Sequence, residues 1–245
     1  MLTSKRDGRV AVLTIDRPER RNAIGSELIR ELREALRRHD DDPETGAVVL
    51  TGTPPGFCAG SDLKELATLD LAGMCRHEAE TAAVAREIGL IDTPVVAAVD
   101  GFALGGGFVL AISCDVVVTG PAVRWHLPEV TIGWIPPWGL ETLAARVGPV
   151  TARRLTWGAE PMDGTEAHRL GVADFLADRP LDEAVAVAGR IAALPPPAVA
   201  AAKRYFAQSA APLGEPRDML ANRMFAENCG HEVAKATLKR FGVRT

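Results

Sequence analysis

Apolar residues alternate at Val10, Val12 or Leu13, and Ile15, which predicts a strand over residues 9–15; the Asp7-Gly8 dipeptide before it suits a hairpin turn. After Arg17-Pro18 and a polar loop to Gly25, the spacing changes. Leu28, Leu32, Ala35 and Leu36 share one face at helical periodicity, with Ser26 as the expected N-cap. Residues 47–51, 94–99 and 116–118 read as further apolar strands, and residues 105–113 as a short helix. A Gly/Pro-rich loop over residues 52–60 leads into a helical stretch from Asp62. Strands alternating with helices predict an α/β layer structure.

From Leu181 onward the strand signals vanish. Residues 181–194 are Ala-rich, Pro195 to Pro197 interrupt, and residues 198–210 and 218–239 read as helices. The chain is therefore expected to divide into a core over residues 1–195 and a helical region over residues 196–245. No internal repeat is evident.

The 28 Lys plus Arg against 32 Asp plus Glu leave a net charge of −4, too balanced for a dedicated nucleic-acid binder. With 47% hydrophobic and 24% charged residues, the 245-residue chain is expected to fold rather than remain disordered. The first residues lack the apolar core of a signal peptide, and the most apolar stretch, residues 95–112, is broken by Asp100 and glycines, so neither export nor membrane spanning is expected. Cys58, Cys75, Cys114 and Cys229 show no CxxC spacing and are expected as free thiols in a reducing cytoplasm. The five histidines are scattered, with no HExxH, and no metal site is expected. No GxSxG marks a nucleophilic serine.

Two turns carry candidate chemistry. Gly105, Gly106 and Gly107 stand between a strand and an apolar helical run, where unpaired N–H groups at a helix start can hold an oxyanion or phosphate. Neither GxxxxGK[ST] nor GxGxxG is present, and the same glycines also suit close helix–strand packing. The second turn, residues 57–64, enters a helix with Ser61 or Asp62 available to cap it. Each turn could lend one backbone N–H to the same oxygen, as stabilising an enolate requires.

These turns, with Asp16-Arg17-Pro18, Asn22-Ala23, residues 94–110, Cys114-Asp115, Pro128-Glu129 and residues 164–172, resemble the crotonase family of enoyl-CoA hydratases and isomerases over nearly the whole chain. The resemblance implies a spiral of strand-strand-helix turns with a C-terminal helical unit that mediates homotrimers, often paired into hexamers. It implies that the N–H groups of Ala59 and Gly106 form an oxyanion hole for a CoA thioester, with Gly60, Ser61, Asp62 and Gly105 on the CoA side. Lys64, and more weakly Lys239 and Arg240, become candidates for the nucleotide phosphates, although such residues more commonly solvate a helix face. Coenzyme A would be part of the substrate, and no other cofactor is implied.

Glu129 matches one of the two glutamates of the family; the other position is Val109. Hydration in this family uses two carboxylates, whereas a double-bond shift needs one base, so the expected reaction is isomerisation with Glu129 alone. The alternatives are hydration with water positioned otherwise, a specialised decarboxylation, hydrolysis or dehalogenation, and a noncatalytic CoA-binding or interaction module. Trp138 and Trp134, with Val109, are candidates for the acyl pocket or simply packed core. Glu141 reads as a solvated helix residue and His126 as a packed histidine, while His77 and Glu78 have no assigned role.

Overall fold

The computed structural model describes residues 1–158 and 160–242. The chain begins with β1 (Leu2–Asp7), β2 (Val10–Ile15), α1 (Ser26–Asp40), β3 (Ala47–Gly52), α2 (Leu63–Leu66) and α3 (Leu71–Leu90). It continues through β4 (Val95–Val99), β5 (Phe102–Leu104), α4 (Gly106–Ile112), β6 (Val116–Thr119) and β7 (Arg124–His126). Next come α5 (Leu140–Val147), α6 (Pro149–Thr156), α7 (Gly164–Leu170) and β8 (Phe175–Leu176), and finally α8 (Pro180–Ala192), α9 (Pro196–Asn228) and α10 (Glu232–Phe241).

The main sheet has the order β1-β2-β3-β4-β6-β8; β1 and β2 are antiparallel and the remaining pairs parallel. Its inner strands are buried on both faces, so β3 and β4 read as unbroken apolar runs. The period of two then sorts their residues. Val48, Leu50, Ala97 and Val99 face the core shared with α1, α3 and α4, while Ala47, Val49, Val96 and Ala98 face Ala184, Val187, Ala188 and Ala192 of α8. The alanines of α8 let its backbone lie close to the sheet: a Cβ on Gly46 would come within 2.7 Å of Ala192 Cβ. Beside the main sheet, β5 and β7 pair in parallel as a two-stranded sheet. This small sheet positions two of the candidate site segments, because α4 starts at the end of β5 and Glu129 follows β7.

Three local expectations shift. The hairpin loop is Gly8-Arg9, since Asp7 pairs with Val10 and Gly8 takes the positive φ of 56°. Gly25, not Ser26, is the N-cap of α1; the Ser26 side chain instead donates to Glu65. In the C-terminal region the prolines at 195–197 do start a helix, but α9 then runs to Asn228, and the break falls at Cys229–His231. Packing decides this. The helix lies against α3 and α5, where Asp218 bonds to Arg86 at 2.5 Å and accepts the Gly139 N–H at 2.8 Å. No single helix among the described residues is long and apolar enough to cross a membrane.

Candidate active site

The turn over residues 57–61 is stitched beside β5. Phe57 N–H donates to the Phe102 carbonyl at 2.9 Å, and Leu104 N–H donates to the Cys58 carbonyl at 3.0 Å. This contact tolerates no side chain at Gly107, where a Cβ would sit 2.3 Å from Cys58 O. Gly106 is different. Its Cβ position is 3.6 Å from Ser61 N and 3.1 Å from Trp138 Cζ2, on the wall of a cleft of about 580 Å³. The triple glycine therefore serves both readings: Gly107 allows close packing, and Gly106 opens the helix start to the cleft.

The backbone donors sort themselves by where their hydrogen bonds go. Ala59 N–H is occupied by the Arg21 carbonyl at 3.1 Å, which corrects the expectation that it faces a ligand. The N–H groups of Ser61 and Gly106 have no protein acceptor among the described residues, and both residues line the cleft. Ala59, Gly60 and Gly105 line it as well.

Asp62 and Lys64 do not. The Asp62 carboxylate caps α2 through the N–H groups of Lys64 and Glu65, at 3.1 and 3.3 Å, and pairs with Arg17 at 3.2 Å, which turns it from the cleft. Lys64 borders a neighbouring depression with Arg17 and Arg20, adjoined by Phe241.

Glu129 enters from the turn after β7 and is held by its own backbone, whose carbonyl accepts the Trp134 N–H at 2.9 Å. The residue is 9% exposed, and its Oε2 has no hydrogen-bond partner among the described residues. Burial, reinforced by the negative charge of Glu78, pushes its pKa up to about 8. Val109 also lines the cleft from α4, packed so tightly on the next turn that a Cβ on Gly139 would meet its Cγ1 at 1.9 Å.

Glu129 is not the lone carboxylate that the sequence led us to expect. Glu78, reaching in from α3, is 3% exposed and lines the same cleft; its Oε2 accepts the Trp138 indole N–H at 2.9 Å. Burial raises its pKa, while neighbouring His77 and hydrogen bonds from Ser61 and Trp138 act the other way. A sequence signal for it did exist. Met74, Glu78, Ala82 and Ala85 recur at helical spacing, so a charged residue interrupts a buried stripe of α3.

Trp134 and Trp138 both line the cleft, and both are buried. Phe225 of α9 completes that wall, its ring centroid 5.7 Å from that of Trp134. The cleft thus draws on residues from both sides of position 195. The other candidates lie apart: His126 donates to the Gly158 carbonyl at 2.8 Å, and Glu141 pairs with Arg217 at 3.4 Å. Neither lines the cleft. His77 is buried beside Glu78, with Nδ1 3.5 Å from Ser26 Oγ. Among the described residues no cluster of His, Cys, Asp and Glu forms a metal-ligand set.

Comparison with known proteins gives this arrangement a context. The family model for enoyl-CoA hydratase/isomerase matches residues 5–242. The chain belongs to this family, the crotonases. It is 36% identical over 202 residues, 81% of this chain and 78% of the relative, to a probable enoyl-CoA hydratase of Mycobacterium bovis. Likewise it is 36% identical over 211 residues, 85% and 82% of the two chains, to the 2,3-dehydroadipyl-CoA hydratase of Escherichia coli. The crystal structure of an enoyl-CoA hydratase from Mycobacterium avium superposes with a TM-score of 0.88 at 27% identity, covering 98% of this chain and 95% of that one. The expected crotonase fold is therefore the fold found. Within this crotonase, the second carboxylate of the cleft comes from α3 rather than α4.

Proposed function

We propose that this crotonase binds an enoyl-CoA thioester with its carbonyl oxygen between the Ser61 and Gly106 N–H groups, and that Glu129 transfers a proton at the carbon next to that carbonyl. The observation that carries this reading is the convergence of two acceptor-free N–H groups and a buried carboxyl on one largely apolar cleft. Fixed N–H donors stabilise charge developing on the oxygen, each by about 3–4 kcal/mol of barrier where water is excluded. A carboxyl with a pKa near 8 is mostly protonated at neutral pH and, once ionised, is a stronger base than an ordinary glutamate.

Ala59, Gly60 and Gly105 would flank the thioester, and Trp134, Trp138 and Val109 the acyl group. Lys64 and Arg20, at the adjoining depression, suit the phosphates of the nucleotide. A homotrimer, alone or paired into a hexamer, belongs to the same proposal. It is supported by the family resemblance and by Leu194, Tyr205 and Met219, which are exposed on this chain.

Isomerisation, the shift of a 3-enoyl to a 2-enoyl thioester, needs Glu129 alone, and the apolar Val109 supports it. Addition of water to a 2-enoyl thioester is a second reading, favoured by Glu78 in the cleft and by the hydratase names of the relatives. The test is to supply 3-butenoyl-CoA and 2-butenoyl-CoA separately and to analyse the products by mass and conjugated-enone absorbance. Equal mass with new conjugation is isomerisation, and gain of water is hydration. Conversion of neither substrate, or full activity in Glu129→Gln, rejects the proposal.

A further inference from the structure

We propose that Glu78 is the second acid/base of this cleft, the carboxylate that activates water for addition at Cβ of the enoyl thioester. The inference rests on the function proposed above and deepens it by placing the missing carboxylate on a different helix.

Buried carboxylates that only hold the fold are usually paired with a cation, since an unpaired buried charge costs several kcal/mol. Two others in this protein follow that rule: Asp62 pairs with Arg17 at 3.2 Å, and Asp218 with Arg86 at 2.5 Å. Among the described residues, no Lys or Arg pairs with Glu78. Its neighbours are the Trp138 indole, the Ser61 hydroxyl, His77 and Glu129. Holding Trp138 in place would not require a charge, because an amide oxygen also accepts an indole N–H. The carboxylate lines the cleft that contains the two free N–H groups, and lone pairs beyond those engaged by Trp138 and Ser61 remain for water.

The surroundings also divide the roles. Two carboxyls in one apolar cleft resist ionising together, so one stays protonated where the other ionises. His77 and the donors Ser61 and Trp138 favour the ionised form of Glu78 against its burial, whereas Glu129 Oε2 has no donor among the described residues. Glu78 is the base and Glu129 the acid.

In the forward step a water O–H proton passes to Glu78 while the oxygen lone pair forms a C–O bond at Cβ. The π electrons move to the thioester and leave an enolate whose oxygen is held by Ser61 and Gly106. Glu129 then gives its proton to Cα as the enolate collapses. The net change is addition of one water. Glu78 ends protonated and Glu129 ionised, and transfer of that proton between them restores the starting state.

The test uses the full-length protein and its variants Glu78→Gln, Trp138→Phe and Glu129→Gln. Two rates are read: hydration of 2-butenoyl-CoA, and exchange of deuterium from D2O into Cα of butanoyl-CoA, which needs Glu129 but no water addition. Glu78→Gln should lower the hydration kcat at least about 100-fold with little change in KM, and should slow deuterium exchange by less than about tenfold. Trp138→Phe, which removes the hydrogen bond and keeps the carboxylate, should slow hydration less than Glu78→Gln does. Hydration by Glu78→Gln within threefold of the unsubstituted enzyme overturns the inference. So does an equal loss in Trp138→Phe, which would make Glu78 a positioning residue, and so does absence of hydration by the unsubstituted enzyme. Undiminished exchange in Glu129→Gln would reject the underlying function and is read separately. If Glu78→Gln does not fold, the pH profile of the unsubstituted enzyme decides: kcat/KM for hydration must fall on the acid side as Glu78 is protonated, and a flat acid limb overturns the assignment.

Discussion

Gly105 and Glu129 stand so close that a Cβ on the glycine would lie 2.9 Å from Glu129 Oε1, with the glycine backbone at a φ of 53°. The β5–α4 turn therefore sets the room available to the carboxyl. Gly105→Ala adds a methyl group in a conformation that L residues rarely adopt and pushes Glu129 from its place. We expect a loss of about 1–3 kcal/mol in stability and at least tenfold in turnover, measured by denaturant titration and by the enoyl-CoA assays.

The raised pKa of Glu129 links to stability with a definite sign. Below about pH 4.5 the group is protonated in both folded and unfolded chains, whereas between there and about 8 only the unfolded chain releases the proton. Stability from this group is thus fully present in acid and lost as pH rises toward 8. Glu129→Gln removes the penalty, so its melting temperature should exceed that of the unsubstituted protein more at pH 8 than at pH 5. The difference should correspond to about 1–4 kcal/mol.

The same titration separates the two reactions. A double-bond shift begins with ionised Glu129 taking a proton, so its rate should climb as pH approaches 8. Hydration needs Glu129 protonated to deliver a proton at Cα, so its rate should fall above about pH 8. Initial rates on 3-butenoyl-CoA and 2-butenoyl-CoA between pH 6 and 9.5 check both limbs.

Restoring a carboxylate on α4 should not help this protein. Val109 fills the space against Gly139, and the longer polar side chain of Val109→Glu would be forced into an overpacked apolar contact. The expected cost is about 1–3 kcal/mol with no gain in hydration, read by thermal melting and the 2-butenoyl-CoA assay.

Lys64 and Arg20 border the depression outside the cleft. Replacing both with alanine should raise KM for CoA thioesters about tenfold and leave kcat nearly unchanged. An N-acetylcysteamine thioester, which lacks the nucleotide, should show no change in KM. An equal effect on both substrates would exclude a role in binding the nucleotide.

Local patterning made much of the architecture legible. Unbroken apolar runs at residues 47–51 and 94–99 marked strands buried on two faces, and the glycine turns and Pro128-Glu129 stood out because their chemistry is local. These features depend on neighbours a few residues away, so the linear order of the chain was sufficient to find them. Distant partners decided the rest. Ala59 and Ser61 are equivalent on paper, yet the Arg21 carbonyl takes the Ala59 N–H and leaves the Ser61 N–H open. Glu78 interrupts an apolar stripe of α3, but only the packing of that helix brings it into the cleft with Glu129 and against the Trp138 indole. Which donors stay free and which carboxyls meet in one cleft are properties of groups remote in the chain, and only the folded arrangement sets them.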